Sequence, residues 1–175
     1  LGRRGAGPKK RLRGWRRCGL REKQLKICFA ASSGGHLAEL LMLRPLMERY
    51  DSFIVTEKTM YTAALDGIRC RCLFQVNRKE QAWTLRMVVN ALCSLLICLT
   101  ERPDVVVCTG ALAPVPLCLL ARGMGAKLVF IESYAKVNTP TRTGKLLYRF
   151  AHRFYIQWPE LQEHYPNALY EGGIY

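Results

Sequence analysis

Three short stretches hold the side chains best suited to chemistry. The first is Ser32-Ser33-Gly34-Gly35-His36, followed by Leu37-Ala38-Glu39. Paired glycines let a backbone approach a ligand closely, and a helix starting there offers unpaired N–H groups to an anion. An imidazole in that first turn can take a proton from a hydroxyl nucleophile or contact a phosphate. The second stretch is Thr109-Gly110-Ala111, again with Gly placed to end an apolar run. The third is Ile131-Glu132-Ser133-Tyr134. Glu132 can orient His36 or hold a sugar hydroxyl; it can equally cap a helix or pair with Lys136 or Arg142. The glycine pattern is not the G-x-G-x-x-G of dinucleotide sites. No C-x-x-C pair is present and the three His residues do not follow zinc-finger spacing, so no metal site is expected.

The elements around these stretches alternate. Apolar runs at 25–32, 53–56, 72–76, 105–108, 127–131 and 154–157 read as strands. Residues 36–49, 81–100, 112–124 and 143–152 read as helices, with Pro45 kinking or splitting the first. A short helix at 160–164 and an extended piece at 168–170 follow. The strand runs VVVC, LVFI and FIV are continuously apolar, which suits strands covered on both faces. Strand–helix alternation points the same way, to a doubly wound, mostly parallel, Rossmann-like α/β domain. In such a sheet the turns at 32–36 and 109–111 both fall at the carboxyl ends of strands, where ligands bind, and together would line a crevice.

Half of the 175 residues are apolar and 23% are charged, which builds a core and excludes general disorder. The formal charge of +14 points to an anionic partner, but it is uneven: residues 1–26 hold 11 of the 27 Lys and Arg side chains and one acid, Glu22. Residues 1–24 read as a basic, glycine-interrupted leader and 25–175 as the folded body. The leader is open to three readings: a solvated tail, a membrane-surface contact or an RNA contact. No apolar h-region follows it, so a secretion signal is not expected here. Most of the eight Cys residues sit in apolar runs, as free thiols in a reducing compartment do.

The helix at 81–100 is unusual. Arg86, Asn90 and Ser94 form a narrow stripe at spacing four, and apart from Thr84 the rest of 83–99 is apolar or Cys. A helix apolar nearly all round is buried in the fold or lies against a bilayer or partner. Its 15-residue centre would reach about 22 Å, short of the roughly 30 Å hydrocarbon layer. Burial within the fold is the first expectation, and interfacial membrane contact the second.

The body resembles the PssD-type polysaccharide-biosynthesis proteins, bacterial relatives of the membrane subunit of the two-subunit GlcNAc transferase acting on dolichol-linked sugars. SSGGHLAEL (32–40), PDVVVCTGA (103–111), VFIESYAKVNTPTRTGKLLYRFAHRFYIQWPEL (129–161) and the terminal YEGGIY carry the resemblance. It implies the amino-terminal, acceptor-side half of a GT-B glycosyltransferase. Peripheral attachment to the cytoplasmic face of the membrane is a separate expectation that rests on the leader and the helix at 81–100. Relatives carry a G-x-G-G-H loop; Ser33-Gly34-Gly35-His36 is similar to its last four positions, with Ala31 or Ser32 where its first Gly falls. The resemblance implies that a UDP-sugar donor, UDP-GlcNAc or a related one, is a substrate and that no cofactor is needed. It also implies a separate donor-binding partner of the PssE type and a lipid-linked sugar diphosphate as acceptor, in exopolysaccharide or capsule synthesis. Ser33, Gly34, Gly35, Thr109 and Gly110 would then line the acceptor's diphosphate, with His36 as base or positioning residue and Glu132 in support. Two other readings stand beside it. In one the chain is a non-catalytic scaffold that anchors a catalytic partner through residues 158–175. In the other it is a nucleic-acid module driven by the leader.

Overall fold

The computed structural model describes residues 24–59, 65, 67–77, 80–81 and 83–175. The basic leader at 1–24 therefore lies, apart from Gln24, outside the described residues. The chain runs β1 (Lys26–Ala31), α1 (Gly35–Leu41), α2 (Arg44–Arg49), β2 (Asp51–Glu57), β3 (Cys70–Leu73), α3 (Trp83–Glu101), β4 (Val105–Gly110), α4 (Val115–Gly123), β5 (Lys127–Ile131), α5 (Arg142–Tyr148), β6 (Arg153–Ile156), a 3-10 turn (Pro159–Glu163) and β7 (Leu169–Tyr170). The strands form one parallel sheet in the order β3-β2-β1-β4-β5-β6-β7. The order reverses between β1 and β4, which puts the topological switch point at their carboxyl ends.

Both faces of the sheet are covered, as continuous apolar strands require. Cys28, Ala30, Phe53, Val55, Val106, Cys108, Leu128 and Phe130 join the core on the α3–α4 face. Ile27, Phe29, Ala31, Ile54, Val107 and Ile131, alternating with them, pack on the other face with Leu37, Leu40 and Met47 of α1 and α2. The expected first helix is two: α1 ends at Leu41 and α2 restarts at Arg44, with Pro45 inside its first turn, where a missing N–H costs nothing. Likewise α4 begins only after Pro114.

Helix α3 corrects the first expectation for it. Its polar stripe faces in and its apolar side faces out. Asn90 and Ser94 are fully buried, while Leu85, Val88, Leu92, Leu96 and Leu99 are exposed, Leu96 by 62%. The inward stripe has an internal use. Asn90 accepts a hydrogen bond from the Phe74 N–H and donates to the Phe74 carbonyl, both at 2.8 Å, clamping the chain as it leaves β3. That clamp ends β3 at Leu73, short of the expected 72–76, because it takes the backbone groups of Phe74 that a ladder would use. At the helix's other end, buried Glu101 receives Lys26 at 2.7 Å and Arg71 at 2.6 Å. Those hydrogen bonds, Lys26's first, hold its carboxyl below the usual range.

Candidate functional site

At the switch point the turns after β1 and β4 meet. The Ser32 N–H donates to the Gly110 carbonyl at 2.8 Å, and the Thr109 hydroxyl donates to the His36 carbonyl at 2.8 Å. Gly110 has φ +103, and a Cβ there would stand 3.2 Å from the His36 ring. A glycine is thus needed both for the turn and for room beside the imidazole. Gly34 also has positive φ, and a Cβ at Gly34 or Gly35 would meet nothing within 4 Å. Both glycines therefore present open backbone.

His36 lines two hollows. One, of about 410 Å³, is bounded by Gly35, His36, Glu39, Ser133, Tyr134, Ala135 and Tyr175. The other, of about 670 Å³, includes Ser32, Ser33, His36, Ala111, Leu112, Lys136, Arg142 and Thr143. An imidazole between two hollows at the edge of a parallel sheet can serve reactants held on its two sides. Lys136 and Arg142 place two positive charges on the larger one against the single carboxylate of Glu57, and that balance suits an anionic ligand. Among the described residues no three His, Cys, Asp or Glu side chains gather closely enough to hold a metal ion.

Two of the expected site residues sit in structural networks. The Ser33 hydroxyl and N–H both donate to Glu57, at 2.9 and 3.0 Å, and Glu57 also accepts from the Val76 N–H. Buried Glu57 thus fixes the loop, and Ser33 spends its hydroxyl proton there. Glu132 is fully buried. It accepts from the Ser133 N–H at 2.9 Å, the Thr141 hydroxyl at 2.8 Å and the Tyr165 hydroxyl at 2.6 Å. Thr141 in turn caps α5 through the Gly144 N–H at 2.8 Å. Burial, with the bond to Glu132, pushes the Tyr165 phenol well up. Glu132 therefore ties β5, α5 and the segment that follows the 3-10 turn together.

The carboxylate facing His36 is Glu39, not the expected Glu132. Its signal was the i,i+3 spacing from His36, which sets both on one face of a helix. Glu39 is 2% exposed, and one of its oxygens stands 3.9 Å from His36 Nδ1. Burial raises its pKa, against the lowering effect of the hydrogen bond from the Tyr134 N–H.

Comparison with known proteins agrees with this architecture. Residues 27–174 match the family described as oligosaccharide biosynthesis protein Alg14 like. The chain is 39% identical to the human UDP-N-acetylglucosamine transferase subunit ALG14 and 30% identical to its Schizosaccharomyces pombe counterpart; in both cases 87% of this chain and 84% of the relative are covered. Among solved structures it resembles Acinetobacter baumannii MurG, with a TM-score of 0.65, 18% identity and coverage of 78% of this chain and 42% of that one. It also resembles a UDP-N-acetylglucosamine 2-epimerase of Rickettsia bellii, with a TM-score of 0.66, 13% identity and coverage of 86% and 45%. The chain spans less than half the length of these structural neighbours, and its fold is one half of the GT-B architecture they share.

Proposed function

The chain belongs to the Alg14-like family of oligosaccharide biosynthesis proteins, and on that premise we propose that it is the acceptor-side subunit of a two-chain, inverting UDP-GlcNAc transferase. The acceptor is a lipid-linked sugar diphosphate. The donor site is on a second chain of the PssE type, and the UDP-sugar is a substrate, so no resident cofactor takes part. The observation that carries this reading is His36, set between two hollows at the switch point, with open glycine backbone on one side and Lys136 and Arg142 lining the larger hollow. The relatives' names, each a transferase subunit, support the need for a second chain.

The test is reconstitution. The full chain and a donor-binding partner are combined on vesicles carrying a polyprenyl diphosphate sugar, with radiolabelled UDP-GlcNAc. Label is expected in the lipid fraction only when both chains are present. Transfer by this chain alone at the rate of the pair would overturn the two-chain reading.

The same proposal places the chain on the cytoplasmic face of a membrane, with α3 lying in the interface. Eighteen of its 19 residues have a mean hydropathy of 1.6, and the outward leucines supply an apolar face next to a fold that occupies the polar face. Because Asn90 and Ser94 are held inside the domain, the helix fits an in-plane position better than a span. A single Leu96→Asp exchange removes roughly 1.5–3 kcal/mol of apolar burial, so vesicle binding should weaken at least about tenfold. Flotation with anionic vesicles measures it. Thermal melting should not change, since Leu96 touches little of the core. Undiminished flotation would remove α3 from the membrane contact.

A further inference from the structure

We propose that Glu39 is the positioning residue that holds the proton on His36 Nδ1 and so leaves Nε2 free as the base for the acceptor hydroxyl. The inference deepens the transferase reading and rests on it for the identity of the reaction.

The two oxygens of Glu39 have different surroundings. Oε1 accepts from the Tyr134 N–H at 2.7 Å and from the Gln157 amide. Gln157 is itself fixed: its amide nitrogen also donates to the Glu132 carbonyl at 2.8 Å, and its oxygen accepts from the Ile174 N–H at 3.0 Å. This leaves Oε2 as the oxygen turned towards His36, 3.9 Å from Nδ1. Nδ1 is buried and has no hydrogen-bond partner. An imidazole nitrogen sealed from water, opposite a carboxylate oxygen, is stable as N–H donor to that oxygen. The 3.9 Å gap is wider than a hydrogen bond; unliganded sites often hold such pairs apart until the reactants bind. The other ionisable group acting on Glu39 is Glu132, whose charge opposes a second negative charge nearby. A proton on His36 relieves that opposition.

The step then balances. Nε2 takes the proton of the acceptor hydroxyl while its oxygen forms the bond to the anomeric carbon of the donor sugar. The bond from that carbon to the UDP oxygen breaks, and UDP leaves with the electron pair. The proton stays on Nε2, and Glu39 stabilises the resulting imidazolium without accepting a proton itself.

Glu39→Gln tests this with little change of shape. Two donors, Tyr134 N–H and the Gln157 amide, require an acceptor at the Oε1 position. The new amide must therefore turn its NH₂ towards Nδ1, making Nδ1 an acceptor and moving the ring proton to Nε2. Nitrogen-15 spectra of the histidine rings in the full chain, at a pH where they are neutral, report the tautomer without any activity. His36 is assigned by its loss in His36→Ala. The expected result is Nδ1–H in the wild type and Nε2–H in Glu39→Gln. In the reconstituted pair kcat should fall on the order of 100-fold with KM changed little, and Glu39→Asp should recover part of the loss. An Nε2–H tautomer in the wild type, or a loss of kcat in Glu39→Gln with Nδ1–H retained, would overturn the positioning role. If the wild-type pair transfers no sugar but the tautomers behave as expected, the transferase reading fails while the pairing stands.

Discussion

Gly144→Ala is expected to lower the melting temperature by about 10 °C, or to prevent folding. A Cβ at Gly144 would lie 2.0 Å from a Glu132 carboxylate oxygen and 2.6 Å from the Tyr165 hydroxyl. Neither atom is the loose end of a flexible side chain. Tyr165 is 1% exposed and packed at a tilt against the rings of Tyr148 and Phe154, and Glu132 is fully enclosed. The carboxylate would have to move by more than an ångström, away from the Thr141 hydroxyl, the Ser133 N–H and the Tyr165 hydroxyl together. Overpacking alone costs roughly 1–3 kcal/mol, and leaving buried donors without their acceptor adds more. About 3 kcal/mol in a domain of this size gives the expected shift. Gly123→Ala is the matching control. It lies in α4, where a Cβ meets nothing within 4 Å, so it should be neutral or slightly stabilising. Equal melting temperatures for the wild type and Gly144→Ala would mean that the Glu132 network yields easily and does not hold α5 in place.

What the residues alone disclose follows from where the information lies. Continuous apolar runs such as VVVC reveal a strand buried on both faces, and the run itself is the cause of the burial. The meeting of the two glycine turns was legible for the same reason: a parallel sheet with a switch point brings the ends of β1 and β4 together whatever the side chains are. The direction of α3 was not legible. Residues at spacing four show that a polar stripe exists, but not which side of the helix the sheet will occupy. That is decided by Asn90 finding both backbone groups of Phe74 and Glu101 finding Lys26 and Arg71, partners far away in sequence. Glu132 follows the last residue of a strand, a position that marks ligand sites in general. Its commitment to Thr141 and Tyr165 depends on the loop and turn that fold over it. Glu39 needed only a helical wheel from His36, yet its distinct oxygens depend on Gln157, 118 residues further along the chain.

His36→Ala carries the largest expected loss of activity. If Nε2 is the base, removing the imidazole should cut kcat of the reconstituted pair by about 10²–10⁴-fold, the usual contribution of a positioned general base, while KM for either substrate changes little. The fold should tolerate the change. His36 keeps 27% of its side chain exposed and its Nδ1 makes no hydrogen bond in the unliganded chain; the Glu39 oxygen it faces borders the hollow that both residues line, where water can replace the ring. The backbone carbonyl that receives the Thr109 hydroxyl is retained. Co-purification with the donor-binding chain separates the two readings of the subunit. A variant that binds its partner and the vesicles normally but transfers no sugar places the chemistry on this chain. Normal transfer by the same variant would make this chain a scaffold, with its glycine turns holding the fold and its partner supplying every reacting group. Between these results lies a loss in KM alone, which would mean that the imidazole grips the acceptor in ground state and transition state alike and that the proton leaves by another route.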